Sequence, residues 1–119
     1  MKEELLHHIW KYRLFASHQL TDTEGSTIDI IDVGHHNLDA GPDFINAKIK
    51  IGDTLWAGNV EIHKKASDWN THKHPTNPAY NSVILHVVAE CNTDIFTQEG
   101  RKIPQLKLPL TPVLMEQWQ

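Results

Sequence analysis

The sequence predicts one α/β domain built around a central mixed sheet, with elements in the order α-β-β-β-α-β. Three patterns predict this class: an amphipathic helix near the N-terminus, two strands of alternating polarity joined by a short turn, and a later, nearly continuous apolar run. A mixed sheet with helices packed against it is a common way to cover a strand that is apolar on both faces. The 119 residues suffice for a single domain, residues 1–119, and are few for two.

The N-terminal helix is predicted over residues 2–16. Apolar side chains recur there at four-residue intervals, as in Leu6, Trp10 and Leu14, which gives the helix one face to pack against a core. A polar, turn-rich segment follows, and the β-branched residues at 27–33 then predict the first strand.

Residues 44–51 and 54–63 are predicted to form a hairpin. Apolar and polar residues alternate along both segments, which is typical of strands with one buried face. The glycine-containing pair at 52–53 suits a tight two-residue turn. Such a turn pairs Ile49 with Trp56 on the apolar face.

The second half of the chain predicts a polar excursion, a central strand and a less regular tail. Pro75 and Pro78 limit residues 64–81 to a short helix or an ordered loop. The apolar run at 82–89 has the length and composition of a strand covered on both faces. Three further elements are predicted after it, a fifth strand, a proline-containing edge strand and the start of a helix, at residues 94–97, 103–110 and 111–118.

Because the chain stops within that last element, we expect it to be the N-terminal fragment of a longer protein. A further C-terminal domain or a second copy of the chain would then pack against these residues.

Composition narrows the classes of function. The formal net charge of −4 excludes a polybasic tail for nucleic acid. The single cysteine, Cys91, allows no intrachain disulfide and indicates a reducing compartment. The first residues lack the basic and apolar regions of an export signal, and no apolar stretch approaches the roughly 18 residues that span a bilayer. We therefore expect a cytoplasmic protein that does not enter membranes.

Two acidic residues lie at the open end of the predicted hairpin. Pro42-Asp43 precedes its first strand, and Glu61 lies two residues before His63 at the end of the second. This pattern resembles the PD-(D/E)XK nuclease superfamily, in which an Asp after Pro opens one core strand and a carboxylate, any residue and a lysine lie on the next. Asp43 and Glu61 match the acids, while His63 stands at the lysine position. The superfamily sometimes adds an acid from the first helix, which makes Glu4 a candidate third ligand.

The resemblance implies a restriction-endonuclease-like core and a Mg²⁺- or Mn²⁺-dependent phosphodiesterase acting on nucleic acid. Hydrolysis of a phosphodiester needs a divalent ion to activate water and neutralise charge, and hard ions prefer carboxylate oxygens. Asp43 and Glu61 would hold the metal, and His63 would replace the lysine. Asn46 or His86 would hydrogen-bond to these ligands without binding the metal itself.

The register of the hairpin decides whether the two acids can meet. A regular two-residue turn pairs Ile45 with Val60. Asp43 then shares a face with Ile62 rather than with Glu61. An odd-length turn or a β-bulge would bring the two carboxylates together.

A different site can be built from the histidines, of which the chain has nine. Histidine is the commonest metal ligand, and Zn²⁺ accepts nitrogen and oxygen donors in a tetrahedral array. With one open position, such a site would make the chain a zinc-dependent hydrolase. The candidate ligands are His63, Asp68, His72, His74 and His86.

Four segments, at 37–44, 56–63, 67–74 and 78–88, resemble a family of uncharacterised bacterial proteins, a domain of unknown function. The resemblance extends over nearly the whole chain and implies no established activity. A third possibility is therefore a catalytically inactive scaffold or protein-binding module of the same fold, beside the metal-dependent phosphodiesterase and the zinc-dependent hydrolase.

Overall fold

The computed structural model describes residues 2–15, 19–72 and 74–109. The α/β class with a central mixed sheet is confirmed, with strands predominating. The elements are α1 (Glu3–Lys11), β1 (Leu20–Thr21), β2 (Thr27–Asp32), β3 (His35–His36), β4 (Phe44–Ile51), β5 (Thr54–Lys65), α2 (Asp68–Thr71), two 3₁₀ turns (His74–Thr76 and Pro78–Tyr80), β6 (Val83–Glu90) and β7 (Gln105–Lys107).

The described strands form one seven-stranded sheet in the order β1-β2-β4-β5-β6-β7, with β3 also paired to β4. The pairs from β1 to β5 are antiparallel, whereas β5 pairs with β6 and β6 with β7 in parallel. The strand β6, buried along most of its length, therefore lies between two parallel neighbours, as its continuous apolar sequence predicts.

Helix α1 is shorter than the predicted helix and ends at Lys11. Arg13 has a φ of 53°, a left-handed conformation that cannot continue a right-handed helix. Its guanidinium group instead donates to the carbonyl oxygens of Ile30 and Ile31 at 2.9 and 3.0 Å. The predicted end at Ala16 lies outside the described residues.

The hairpin of β4 and β5 follows the predicted register only near its turn. Ile49 pairs with Trp56, as the two-residue turn predicts. The predicted pairing of Ile45 with Val60 is wrong, because the register shifts and Phe44 pairs with Val60 instead.

A β-bulge at Asn46 causes this shift. Asn46 has a φ of 60°, a conformation that asparagine tolerates better than most residues, and its N–H donates to Asn59 Oδ1 at 3.1 Å. The bulge changes which residues at the start of β4 lie opposite the end of β5.

Other element predictions are partly correct. The excursion before β6 is a short helix with two 3₁₀ turns, as predicted. The strand predicted at 94–97 is wrong, because only a single bridge joins Phe96 to Lys102 there. The edge strand predicted at 103–110 is reduced to β7, and the helix predicted at 111–118 lies outside the described residues.

The two faces of the sheet have different roles. Side chains alternate along a strand, so Val60 and Ile62 face one side of β5 while Glu61 and His63 face the other. The apolar side is packed in one core with α1, whose Leu6, Ile9 and Trp10 are fully buried. The opposite side carries polar groups.

Within the described ranges, no helix is long and apolar enough to cross a membrane.

Candidate metal centre

A row of polar side chains crosses the sheet on the face opposite α1. Glu61 pairs with His86, and His86 pairs with Gln105, so three neighbouring parallel strands each contribute one residue. Asp43, just before β4, extends the row because of the bulge. Its N–H donates to Glu61 Oε1 at 3.1 Å, and its Oδ2 accepts from the N–H of Ile62 at 2.8 Å. The structure thus brings the two acids of the nuclease-like pattern together.

Beside this row, three histidines lie close together, and two of them contact Glu61. One ligand nitrogen from each of His63, His72 and His74 lies within 4.8 Å of the other two. His63 Nε2 is 3.0 Å from His72 Nδ1, while Glu61 Oε2 is 2.5 Å from His74 Nε2 and 3.5 Å from His63 Nε2. Ligands bound tetrahedrally to zinc at about 2.0–2.1 Å lie about 3.3 Å apart. These donor atoms therefore have nearly the spacing of a metal coordination sphere.

A chain of hydrogen bonds sets the protonation of His63. Gln105 Nε2 donates to the carbonyl of Thr93 at 2.8 Å, which turns its Oε1 towards His86 Nδ1 at 2.9 Å. His86 Nδ1 must then donate, which leaves its Nε2 to accept from His63 Nδ1 at 2.8 Å. In a neutral ring, His63 Nε2 consequently carries a lone pair directed at the cluster. Metal-binding histidines are commonly oriented by such a bond to the other ring nitrogen.

Three buried histidines of the centre, His63, His74 and His86, are held neutral. Burial lowers the pKa of His63 to about 2, and repulsion from neighbouring histidines adds to the effect. Burial likewise lowers the pKa of His74 to about 4 and that of His86 to about 4. At neutral pH these rings are available as ligands or hydrogen-bond acceptors without losing a proton first.

Glu61 has the opposite property and keeps its proton. Burial, reinforced by repulsion from the Asp43 carboxylate, raises the pKa of Glu61 to about 10. Burial alone would raise the pKa of Asp43 too, but the nearby His7 ring and the hydrogen bond with Glu61 lower it. The contact between Glu61 and His74 is therefore a neutral hydrogen bond in which the carboxyl group donates to the ring.

A second group of ligand atoms lies on the α1 side of Asp43. Single ligand atoms of Glu3, His7 and Asp43 lie within 4.8 Å of one another. His7 Nε2 is 3.7 Å from Glu3 Oε1 and 3.4 Å from Asp43 Oδ2, and it is buried without a well-aligned hydrogen bond. Burial alone would lower the pKa of His7, but the neighbouring Asp43 carboxylate raises it.

Aromatic rings cover the cluster from the side of α2. The ring of Tyr80 stacks on that of His74 with centroids 3.7 Å apart, and Trp69 packs edge-on against His74 and His86. Burial raises the pKa of Tyr80 to about 12, so its hydroxyl stays neutral. Since His72 is exposed, the cluster is accessible to solvent from the end of α2.

The remaining predicted residues have other positions. His86 contacts His63 Nδ1 and Gln105 Oε1, so both its nitrogens are engaged and it is not available as a ligand in this arrangement. Asn46 is exposed at the bulge. Asp68 accepts from the N–H of Lys65 at 3.2 Å at the start of α2. Glu4 lines a neighbouring groove.

Three residues of the centre are absent from the predicted site: Gln105, Glu3 and His7. The spacing of Glu3 and His7 by four residues on one helix face is a detectable signal. Nothing in the sequence marks Gln105, because its role depends on the parallel pairing of β7 with β6.

The fold and site together define a class: α/β proteins in which a buried cluster of histidines and carboxylates lies on one face of a mixed sheet. The chain belongs to the family described as Protein of unknown function (DUF2851), whose model matches residues 3–119. No curated protein and no solved structure matches it.

Proposed function

We propose that this chain is a metal-dependent hydrolase of phosphodiesters, with a zinc-type cation held by His63, His72, His74 and Glu61 and a fifth coordination position open to water. The observation that supports it best is the grouping of three histidine nitrogens within 4.8 Å of one another, two of which contact the Glu61 carboxyl oxygen. Structural histidines usually bond to backbone or solvent, whereas these direct their nitrogens at one another.

The donor set distinguishes between cations. Three imidazole nitrogens and one carboxylate suit Zn²⁺ and other transition metals, whereas Mg²⁺ prefers oxygen ligands and retained water. The Mg²⁺ site that the nuclease resemblance implies at Asp43 and Glu61 is therefore the less favoured arrangement, with Mn²⁺ between the two. The residues present fit a zinc-type ion.

A bound ion would supply a Lewis acid that activates water and stabilises the charge that develops on a phosphoryl oxygen. The protein residues prepare the site for this chemistry. His86 and Gln105 keep the His63 lone pair directed inward, and Asp43 holds the Glu61 carboxyl group through its N–H. The rings of Trp69 and Tyr80 exclude water from the buried side.

A groove beside the centre supports an anionic substrate. The cavity, of about 310 Å³, lies between α1 and β3. Its lining residues are mostly basic or aromatic: Glu4, His7, His8, Lys11, Tyr12 and His36. Because His7 also contacts Asp43, the groove opens next to the centre. Lys11 carries a positive charge that can bind a phosphate group, and the exposed ring of Tyr12 can stack on a base.

Nucleic acid is accordingly the substrate class that we propose, and the cytoplasm the location. The order α1, β2, β4, β5, α2, β6 supports a restriction-endonuclease-like core, with β1, β3 and β7 as short additions. The Asp43 and Glu61 positions of the superfamily pattern would then belong to the same centre as the histidines.

The test is hydrolysis by the protein stripped with a chelator and reloaded with Zn²⁺, Mn²⁺ or Mg²⁺. We expect cleavage of bis(p-nitrophenyl) phosphate and of oligonucleotides with Zn²⁺ or Mn²⁺, and its loss in His72→Ala and His74→Ala. His35→Ala, at an exposed histidine of β3, serves as the matched control. Cation binding without hydrolysis of any substrate would reject the enzyme and favour the scaffold, in which the ion is structural.

A further inference from the structure

We infer that the centre binds a second divalent cation, held by Glu3, His7 and Asp43. This inference deepens the proposed function and, for the catalytic meaning of the second ion, rests on it. The binding itself follows from the geometry of the three side chains.

These ligand atoms come from two separate parts of the fold. Glu3 and His7 lie one turn apart on α1, and Asp43 precedes β4. Their ligand atoms all lie within 4.8 Å of one another, with His7 Nε2 between the two carboxylates at 3.7 and 3.4 Å. Atoms bound to a common cation have separations of this order.

The Nε2 atom of His7 is the strongest indication of a ligand. It is buried and has no hydrogen-bond partner among the described residues. A buried polar atom left without a hydrogen bond destabilises the folded chain. The ring is also fixed in orientation, because it packs edge-on against His36 and Phe44 with centroids 5.4 and 6.2 Å away. A cation at Nε2 would satisfy this atom without moving the ring.

The chemistry of the second group differs from that of the histidine cluster. Two carboxylates and one imidazole form a harder donor set than three imidazoles and one carboxylate, so this group favours Mn²⁺ or Mg²⁺ where the cluster favours Zn²⁺. Two negative charges on Glu3 and Asp43 also match the charge of one divalent ion. The centre would therefore hold two cations of different preference.

Asp43 and Glu61 connect the two groups. The Asp43 N–H donates to Glu61 Oε1, while Oδ2 of the same aspartate faces His7. In two-metal sites, paired cations stabilise both the attacking and the leaving oxygen of a phosphoryl transfer. A second ion on the groove side of Asp43 would thus contact the substrate phosphate from the side where Lys11 lies.

The experiment measures metal binding alone, on the full chain after chelation. Titration calorimetry and Mn²⁺ electron paramagnetic resonance should give two ions per chain, with a spin-coupled spectrum when both are Mn²⁺. Glu3→Gln and His7→Ala should each reduce the stoichiometry to one and abolish the coupling. His72→Ala should also leave one ion, at the other group.

Asp29→Asn and His35→Ala are matched controls, since both residues are exposed and belong to neither ligand group; both variants should still bind two ions. Glu3→Gln changes a partly exposed side chain and preserves its shape, so it remains informative where His7→Ala does not fold. One ion per chain in the wild type, or two in Glu3→Gln, would overturn the inference. Two bound ions without hydrolysis would reject the proposed function alone.

Discussion

Replacing Glu61 with glutamine isolates a buried carboxyl group that the metal-free protein keeps protonated at neutral pH. Glutamine has the shape of the protonated acid, and its amide group can donate to His74 while its oxygen accepts from the Asp43 N–H. The variant should therefore fold like the wild type. It should differ in how its stability depends on pH.

The sign follows from the two pKa values of the carboxyl group. Its pKa is about 10 in the folded chain, against an ordinary value of 4.5. Between these values the folded state binds a proton that the unfolded state has released, so the free energy of unfolding falls as the pH rises. The stabilising contribution of the protonated form is complete below pH 4.5 and is lost progressively up to about pH 10.

The comparison is made above pH 7.0, where the buried histidines of the centre are mostly neutral in both the folded and the unfolded chain. The lowered pKa values of His63, His74 and His86 make the folded state harder to protonate, so they destabilise it only below their ordinary value of 6.5. From pH 7.0 to 8.5 the carboxyl group alone should cost about 1.4 kcal/mol per pH unit, or about 2 kcal/mol in all. The glutamine variant should lack this contribution and keep only the decline that comes from other groups, such as His7, whose pKa the Asp43 carboxylate raises.

Urea unfolding with a chelator present, at pH 7.0, 7.75 and 8.5, gives the required free energies. Asp53→Asn, at an exposed residue of the hairpin turn, should decline like the wild type. Equal slopes for the wild type and Glu61→Gln would refute the conclusion that Glu61 is protonated in the fold.

Further consequences concern metal binding and the sheet. Because Glu61 must lose its proton to become a ligand, Zn²⁺ binding at pH 7 should release about one proton per chain, measured by calorimetry in buffers of different ionisation enthalpy. Gln105→Leu leaves His86 Nδ1 without its acceptor and should weaken Zn²⁺ binding about 10–100-fold in a chelator competition. Gly58→Ala would put a Cβ 2.8 Å from the carbonyl oxygen of Ser82 and should lower the free energy of unfolding by about 1–3 kcal/mol in urea.

Each of these has a control. Glu61→Gln should release no proton on binding Zn²⁺. Gln98→Leu, at an exposed glutamine, should bind Zn²⁺ with the affinity of the wild type. Ala57→Ser, beside Gly58 on β5, should have the free energy of unfolding of the wild type. If Gln105→Leu bound Zn²⁺ with unchanged affinity, the hydrogen-bond chain would not be needed to orient His63 for metal binding. If Gly58→Ala unfolded with an unchanged free energy, β5 and β6 could move apart at this point without cost.

Local sequence patterns predict the elements of this fold better than the site. The hairpin of β4 and β5 follows from alternation and a glycine turn, and the burial of β6 follows from its apolar run. The bulge at Asn46 has no such signal, although a single extra residue there decides whether Asp43 meets Glu61. Register is a property of two strands together, so one strand's sequence does not fix it.

The histidine cluster shows the same limit. His63, His72 and His74 attract attention by residue type alone, and the structure brings them together. Whether His86 would join them as a ligand or support them from behind depends on a contact with Gln105, on a strand that pairs in parallel only after a long connection. Parallel pairing over such a separation leaves no local pattern to detect.

The edge position of β7 has a consequence for how the centre is maintained. This strand contributes no ligand, yet Gln105 on it determines which nitrogen of His86, and hence of His63, carries hydrogen. Edge strands pair with one neighbouring strand and detach more readily than central ones. Besides its pairing with β6, Gln105 accepts at its carbonyl oxygen from the N–H of Thr23 at 3.0 Å. If these three residues, Gln105–Lys107, frayed from the sheet, the rings of His86 and His63 could exchange tautomers. The Nε2 atom of His63 could then carry hydrogen and would not bind the metal, although every coordinating side chain stayed in place.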